Sequence, residues 1–268
     1  MLPVDWPAPP NIRALFTIRA GGHSVPPFDS LNLGDHVSDA VQAVAANRQV
    51  LAQAIRARPV FLRQIHGAHV LVLQNDTPDG TQADACLTSL PNLACTIMVA
   101  DCLPVLFTNT HGTAVAAAHA GWRGLVGEPG VGGVLEAVFK HFGALALENT
   151  AQAAINNVAN QTLVWLGPCI GPKAFEVGNE VRTAFMAHET QAEQHFTPHG
   201  PGKWLADLPA LARQRLAALG LNVATQVFGN DGSDAWCTVA NPSKFFSHRR
   251  DAAVRGSTGR MAACIWRV

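Results

Sequence analysis

The chain carries no surplus of either charge: 19 Lys plus Arg balance 19 Asp plus Glu in 268 residues, and only 14% of residues are charged. Without a basic excess there is little to neutralise a run of phosphates, which argues against nucleic acid as a partner. Long apolar runs are missing too. No stretch reaches the roughly 20 uninterrupted apolar residues that a bilayer span requires. The start, Met1-Leu2-Pro3-Val4-Asp5-Trp6-Pro7, lacks the cationic and then apolar segments of a secretory leader. Membrane association is therefore not expected, and the cytoplasm is the expected compartment. The six cysteines, Cys86, Cys95, Cys102, Cys169, Cys237 and Cys264, include no Cys-x-x-Cys pair. Disulfides are not expected in a reducing compartment, and all but one of these thiols read as small core residues. Nor are any two of the 11 histidines spaced as His-x-His.

What is present is apolar bulk. With 48% hydrophobic residues over 268 positions, the chain can bury a substantial core, and a single domain over residues 1–268 is expected. Asn11 to Ala20 reads as a strand closed by Gly21-Gly22, and Ser38 as the N-cap of a helix running to about Arg56. Short apolar runs at 60–65, 69–73, 94–99, 103–107 and 113–118 predict a strand-rich middle. Helices are predicted over Val134–Phe142, Glu180–Ala187 and Asp207–Leu219, with further strands at 162–166, 222–228 and 261–266. Gly127–Gly133 and Thr150–Gln161 read as surface insertions. Because no βαβ rhythm and no internal repeat is visible, the expected fold is α+β, with layered mixed β-sheets covered by helices.

Three residues with soft-metal donor atoms, His66, Cys102 and His119, each end one of the apolar runs. Three predicted strands would thus deliver two imidazoles and one thiolate to a common rim. Three protein ligands plus a solvent position is the pattern of catalytic zinc, whereas a fourth protein ligand would close the site. Zn2+ held this way keeps a net positive charge and can draw the pKa of bound water toward roughly 7. Its occupancy should weaken at low pH, because the thiol must ionise to bind. His69 lies close to His66, but the β-branched and apolar neighbours argue against a helical His-x-x-His pair.

Other residues could complete such a site. Two glycines flank Trp122-Arg123, which permits close backbone approach to a ligand or simply makes a tight turn. Arg48 falls within the apolar stripe Val41, Val44, Leu51 and Ile55 of the predicted first helix. It either snorkels outward or turns its planar fork toward an anion such as phosphate. Glu176 follows the rigid turn Gly167-Pro168-Cys169-Ile170-Gly171-Pro172, and Asp101 precedes Cys102; either can act as acid or base if held near the metal. Phe245-Phe246-Ser247-His248-Arg249-Arg250-Asp251 sets aromatic surface beside cations, suited to holding a flat heterocycle or to anchoring the last strand.

An ordered set of segments resembles the YfiH-like, laccase-domain family of purine nucleoside phosphorylases. It comprises Ser30-Leu31-Asn32-Leu33-Gly34-Asp35-His36-Val37, Asn47-Arg48, Gln64-Ile65-His66-Gly67, Ala83-Asp84-Ala85, Ala100-Asp101-Cys102 and Ala118-His119-Ala120-Gly121-Trp122-Arg123-Gly124. It continues with Gly167-Pro168-Cys169-Ile170-Gly171, Phe175-Glu176-Val177, the Phe245–Asp251 segment and Thr258-Gly259-Arg260. The resemblance implies an architecture similar to the catalytic domain of the cytotoxic necrotizing toxins, with zinc at His66, Cys102 and His119. It also implies phosphorolysis of adenosine, inosine, guanosine and methylthioadenosine to free base and sugar 1-phosphate, together with adenosine deamination. Arg48, Asp101 and Glu176 are then candidate catalytic residues, and Arg48, Trp122, Arg123 and Phe246 candidate substrate contacts. The glycine-rich segment after Leu125 and the residues from Ala252 to Ser257 depart from the family pattern at places that can shape the pocket mouth.

The family's older label, multicopper polyphenol oxidase, does not suit these residues. A coupled copper cluster needs many imidazoles beyond one His2Cys set, and the His-x-His spacing is missing. Two other readings remain open. Cys102 can be a thiolate nucleophile with His119 as its base, giving a cysteine hydrolase or deamidase. Alternatively the trio is a zinc site that only orders a binding surface around Trp122 and the Phe pair.

Overall fold

The computed structural model describes residues 1–128, 130–147 and 158–268. In chain order the first half contains β1 (Leu2–Pro3), β2 (Ile12–Phe16), α1 (Val41–Ile55), β3 (Arg58–Phe61), β4 (Val70–Val72), β5 (Ala85–Thr88), β6 (Leu93–Val99), β7 (Leu103–Asn109), β8 (Val115–Ala120), α2 (Trp122–Val126) and α3 (Val134–Leu147). The second half contains α4 (Val158–Gln161), β9 (Thr162–Leu166), β10 (Glu176–Gly178), α5 (Asn179–His188), β11 (Phe196–Pro198), β12 (Lys203–Ala206), α6 (Leu208–Ala218), α7 (Val223–Gln226), β13 (Val227–Gly229), α8 (His248–Arg255) and β14 (Met261–Arg267).

The strands form two large mixed sheets and one small one. The order is β1-β2-β14-β6-β3 in the first, β13-β9-β7-β8-β5-β4 in the second and β10-β12-β11 in the third. The alternation of side chains explains how the large sheets stack. On β14, Met261, Ala263 and Ile265 enter the core between the sheets, while Ala262, Cys264 and Trp266 face the other way, toward Leu51 and Ile55 of α1. On β8, Val115 and Ala117 face the first sheet; Ala116, Ala118 and Ala120 face a second core shared with Val134, Leu135, Val138 and Phe142 of α3 and with residues of α6. The result is four layers: α1, sheet, sheet, then the α3 and α6 side. Both faces of the central strands are covered, so β6, β7 and β8 are buried at every residue. This is why they read as unbroken apolar runs. The α+β layered architecture expected from the sequence is the one observed.

Several boundaries differ for identifiable reasons. The first helix begins at Val41, not at Ser38, which adopts φ 69°. The Asp39 carboxylate is taken by Ser24 Oγ (2.6 Å), Asn32 Nδ2 (2.8 Å) and the Ala40 N–H (2.7 Å), so it anchors the preceding loop. Val41 is 77% exposed and outside the buried stripe, which Asn47 joins instead. The run at 60–65 is regular strand only to Phe61, with one isolated bridge from Arg63 to Gln82, and β5 is an additional strand. The strand expected at 222–228 is a short helix, α7, capped by Asn222, followed by β13 against β9. The Gln226 amide holds α7 in place by donating to Ala159 O (2.5 Å) and Thr162 O (2.8 Å). Of the expected insertions, Gly127–Gly133 turns through a bridge between Glu128 and Gly132, with position 129 outside the described residues. Positions 150–157 also lie outside them, and 158–161 form α4. Ala252 to Arg255 are the last turn of α8, which ends at Gly256 in the left-handed region.

Asn47 ties α1 to the loop that leads to the site. It is fully buried; its Nδ2 donates to Ser24 Oγ (2.9 Å), Ser30 O (3.1 Å) and Asn32 O (2.8 Å), and its Oδ1 accepts the His23 N–H (2.7 Å). Replacing it with Ala orphans several buried groups, each costing about 1–3 kcal/mol. Asn47→Ala is expected to lower unfolding stability by about 3 kcal/mol in a urea titration. A loss under about 1 kcal/mol would contradict this account of the loop.

Candidate active site

The three soft donors converge at one end of the sheet pair. The β7–β8 register sets Leu103 opposite Ala120 and Pro104 opposite His119, so the turn before β7 carries Cys102 to the end of β8. His66 arrives differently from expectation, on the loop between β3 and β4 and with φ 65°. Each of the three offers one donor atom, and these atoms lie within 4.8 Å of one another. The His66 and His119 rings meet edge to face, 4.7 Å between centroids. Gly121 makes room for this, since a Cβ there would lie 3.0 Å from Cys102 Sγ and 3.1 Å from His66 Cδ2. Gly124 lets α2 approach the Gly67 carbonyl, which a Cβ would meet at 2.6 Å. The glycines around Trp122-Arg123 therefore accommodate the cluster itself.

Asp84, just before β5, holds the arrangement together. It is completely buried. Its carboxylate accepts the backbone N–H groups of Ile65 (3.2 Å), His66 (2.8 Å) and Gly67 (2.7 Å), and stands 2.9 Å from His119 Nδ1. Its carbonyl accepts the His119 N–H at 2.7 Å. Burial alone would raise its pKa; the bonds from the His119 ring and the Gly67 N–H outweigh this and hold it below the ordinary carboxylate range. With Nδ1 committed to Asp84, His119 is left with Nε2 for Cys102 and an ion, the carboxylate–histidine arrangement that orients metal ligands. Burial would likewise push the Cys102 thiol up, yet the His119 charge and bonds from His119 and His66 bring it down to about 6. The same thiolate, with Asp84, overcomes desolvation and raises His119 to about 9. Metal-free, the pair is a thiolate beside an imidazolium. The donor set, its spacing and the orientation of His119 fit a soft divalent ion with a face left for solvent or substrate.

A cavity of about 410 Å³ opens on this cluster. Its wall includes Met98, Val99, Ile170, Phe175 and Leu208 as apolar surface, Trp122 beside the trio, and the basic side chains of His36, His248, Arg249 and Arg260. Gln64 also lines it, with its amide committed: Nε2 donates to Met98 O (2.8 Å) and Oε1 accepts the Met98 N–H (2.8 Å), which fastens the His66 loop to β6.

The remaining expected site residues fall in varied places. Asp101 lines the cavity, in the left-handed region at φ 94°. Both of its carboxylate oxygens are occupied, one by Thr238 Oγ1 (2.5 Å) and the other by the Arg249 N–H (2.7 Å) at the start of α8. Arg48 does not line the cavity. Its guanidinium lies 4.1 Å over the Phe61 ring, donates from Nε to Leu33 O (3.0 Å), and faces the carboxylates of Asp35 (3.1 Å) and Asp79 (3.9 Å). Glu176 is also outside the wall, on β10 beside His199 (3.7 Å) and Lys203 (3.8 Å). Arg123 is exposed, with its guanidinium 4.4 Å over the Trp122 ring. Phe246 is buried in the core between the sheets, so the cavity aromatics are Trp122 and Phe175. Asp84, Gln64, Phe175 and Arg260 were not singled out as site residues. For Asp84 the available signal was a carboxylate inside the apolar run Ala83 to Leu87.

The fold and the cluster together define a layered α+β protein with a His-Cys-His metal-type site at the sheet ends. Residues 13–268 match the family model described as multi-copper polyphenol oxidoreductase laccase, and the chain belongs to this family. A purine nucleoside phosphorylase of Pseudomonas aeruginosa, PA4543, is 46% identical over 98% of this chain and 96% of its own length. The purine nucleoside phosphorylase YfiH of Escherichia coli is also 46% identical, over 98% and 96%. The crystal structure of Neisseria meningitidis protein NMB0706 superposes with a TM-score of 0.80 at 41% identity, covering 99% of this chain and 98% of that one. Bacillus licheniformis YfiH, titled a hypothetical protein, gives 0.79 at 30% identity, covering 96% and 93%. Among the described residues the one cluster of three or more potential ligands is His66, Cys102 and His119, an inventory suited to a single ion and too small for a multicopper centre.

Two outcomes follow from the Asp84 arrangement. Asp84→Asn places an amide donor against Nδ1 of His119 or the Gly67 N–H, and metal affinity measured by chelator competition is expected to fall about 10–100-fold with the fold retained. Unchanged affinity would remove Asp84 from its orienting role. Loading metal between about pH 6 and about pH 9 should release the His119 proton, because Cys102 is already ionised there. Below about 6 the Cys102 proton must leave as well, so apparent affinity falls toward acid pH. Metal uptake near neutral pH without proton release, read by titration in weak buffer, would contradict the thiolate–imidazolium state.

Proposed function

We propose that the protein is a zinc-dependent purine nucleoside phosphorylase that converts adenosine, inosine, guanosine or methylthioadenosine, with phosphate, to free base and sugar 1-phosphate, and that also deaminates adenosine. The observation that carries this reading is the cavity, which joins the His-Cys-His cluster, two aromatic rings and unpaired cations in one space. Its volume of about 410 Å³ falls in the range of small-ligand sites, roughly 300–1,000 Å³. The names of the relatives supply the reaction class. Small-molecule nucleosides and phosphate are thus the proposed partners, and the cytoplasm the proposed compartment.

The ligands for the ion are His66, Cys102 and His119, with Asp84 orienting His119. Zinc bound there supplies Lewis-acid and water-activating chemistry, which serves deamination directly. Trp122 and Phe175 provide rings against which a purine can lie. Met98, Val99, Ile170 and Leu208 exclude water from the reacting bond. In phosphorolysis the anomeric carbon becomes cation-like as the base departs, so a phosphate held by the wall cations lowers the barrier through proximity and charge. Asp101 is engaged on both carboxylate oxygens and Glu176 lies outside the cavity, so neither carries the proton. His36 and His248 are the titratable side chains left in the wall besides the metal ligands and Asp101. Burial and the Arg260 charge hold His36 below the ordinary imidazole range, so its ring stands neutral at neutral pH.

One observation favours a second reading. The chain of contacts from Asp84 through His119 to Cys102 is also that of an activated cysteine nucleophile, which would make the metal-free protein a hydrolase or deamidase.

Incubating the protein with inosine and phosphate is expected to give hypoxanthine, with activity lost on chelation and in Cys102→Ser. Turnover that survives chelation but not thiol alkylation would instead establish the cysteine hydrolase, and no turnover of nucleosides or amides would leave a non-catalytic binding module. Asp101→Asn should keep both limbs of the pH–rate profile and most of the rate, since an amide can still meet Thr238, whereas Asp101→Ala should lose about tenfold or more. A vanished limb in Asp101→Asn would return Asp101 to proton transfer.

A further inference from the structure

The position of Arg48 leaves the anion of the proposed reaction without a partner, and the cavity wall supplies one. Arg260 lines the cavity, and its protein bonds use a single terminal nitrogen: Nη1 donates to the carbonyls of Thr258 (2.9 Å) and Gly259 (3.3 Å). Nε and Nη2 make no bond within the described residues, which leaves two adjacent donors of the planar fork for a ligand. Some of the other arginines pair with acids, as Arg19 does with Asp29 (3.1 Å), Arg48 with Asp35 (3.1 Å), Arg215 with Glu136 (2.7 Å) and Arg250 with Asp251 (2.8 Å), but none of these four lines the cavity. Among the described residues neither Arg260 nor Arg249 has a carboxylate within 4.0 Å.

The surroundings reinforce this contrast. Burial lowers the Arg260 pKa, and only the more distant charges of Cys102 and Asp101 work against it, so the guanidinium is under-compensated in a partly desolvated wall. Gly34 creates its berth, because a Cβ there would lie 2.7 Å from Arg260 Cγ and 3.1 Å from Arg260 Cβ. His36 adjoins the same glycine, its Cε1 at 3.4 Å from that Cβ position. Arg249 supplies a second cation held only by carbonyls: Nη2 donates to Glu176 O (3.0 Å) and Nη1 to Ala174 O (3.4 Å), while Asp101 fixes its backbone N–H. Asp101 is the one acidic side chain in the wall, and its oxygens are already engaged.

We infer that Arg260, seated by Gly34 and flanked by His36 and Arg249, is the binding subsite for a phosphate group in this cavity. The role of that phosphate as co-substrate rests on the phosphorylase reading; the existence of the subsite does not. The phosphate can arrive as the inorganic ion or as the 5′-phosphate of a nucleotide, and Arg48 serves only to brace the wall through Asp35.

Calorimetric titration of the metal-loaded protein with inorganic phosphate tests this without requiring turnover. Wild-type protein is expected to bind phosphate, and Arg260→Gln to weaken it about 10–100-fold, the loss that charged hydrogen bonds produce. Gly34→Ala, which displaces the same side chain, and Arg249→Gln should weaken it in the same direction and serve if Arg260→Gln does not fold. Arg48→Gln should leave phosphate affinity within about twofold. In phosphorolysis the variants at Arg260 and Gly34 should raise KM for phosphate while KM for inosine stays within about twofold. Adenosine 5′-monophosphate binding more tightly than adenosine, with the difference lost in Arg260→Gln, would support the same subsite with a tethered phosphate as its occupant. Phosphate binding without nucleoside turnover would overturn the phosphorylase reading and leave the subsite standing. Unaltered phosphate binding in Arg260→Gln, or binding of neither phosphate nor the monophosphate by wild-type protein, would overturn the subsite.

Discussion

Everything at the site depends on one buried carboxylate. An ionised Asp84 away from water would cost several kcal/mol if left without partners. Here the backbone of Ile65, His66 and Gly67 and the ring of His119 surround it. These bonds make the ionised form stable, and they do more than repay desolvation. They fix the His66 loop to the beginning of β5, select which nitrogen of His119 faces Cys102, and place negative charge behind the imidazole that steadies the thiolate. A single side chain thereby sets the position of His66 and the tautomer of His119 and, through the His119 ring, favours the Cys102 thiolate.

The surrounding fold supplies rigidity at the right end. Two sheets packed face to face, each covered on its far side, leave little freedom to the strand ends from which Cys102 and His119 project. His66 and Asp101, both non-glycine residues at positive φ, occupy the turns on either side of the cluster, where surrounding hydrogen bonds hold conformations that would otherwise be unfavourable. Asp101 acts in the Cys102 turn much as Asp84 acts in the His66 loop. It joins that turn to Thr238 and to the first turn of α8, and so ties the cation-bearing wall to the rim that carries Cys102. Both acids nearest the cluster thus spend their carboxylate oxygens on the protein itself, and the cavity is left lined by the donor trio, two further imidazoles and two guanidiniums.

Much of this could be read from the chain before its structure. Apolar strands covered on both faces leave a strong signature, and the three donor residues stood at the ends of such runs, so the cluster was legible in outline. The direction of side chains on irregular segments was not. Phe246 and Phe175 look equally exposed in a linear sequence, yet only Phe175 faces the cavity, because the chain turns Phe246 inward against Gly259. Arg48 was placed on the correct face of α1, but periodicity alone could not show that Asp35 and Asp79 would meet it there. The segments around Asp84 and Arg260 match the family pattern, but the sequence assigns neither residue a role, because each acts on partners far away in the chain. Short polar caps such as Asn222, which turned an expected strand into α7, likewise compete with β-propensity over too few residues to be seen in advance.

The central claim is that two imidazoles and one thiolate grip a single ion and leave it an open face. X-ray absorption at the zinc edge of the loaded protein addresses it most directly. The account predicts two nitrogen neighbours near about 2.0–2.1 Å, one sulfur near about 2.3 Å and one light-atom neighbour from solvent or substrate. A shell without sulfur, or one closed by four protein donors, would contradict it.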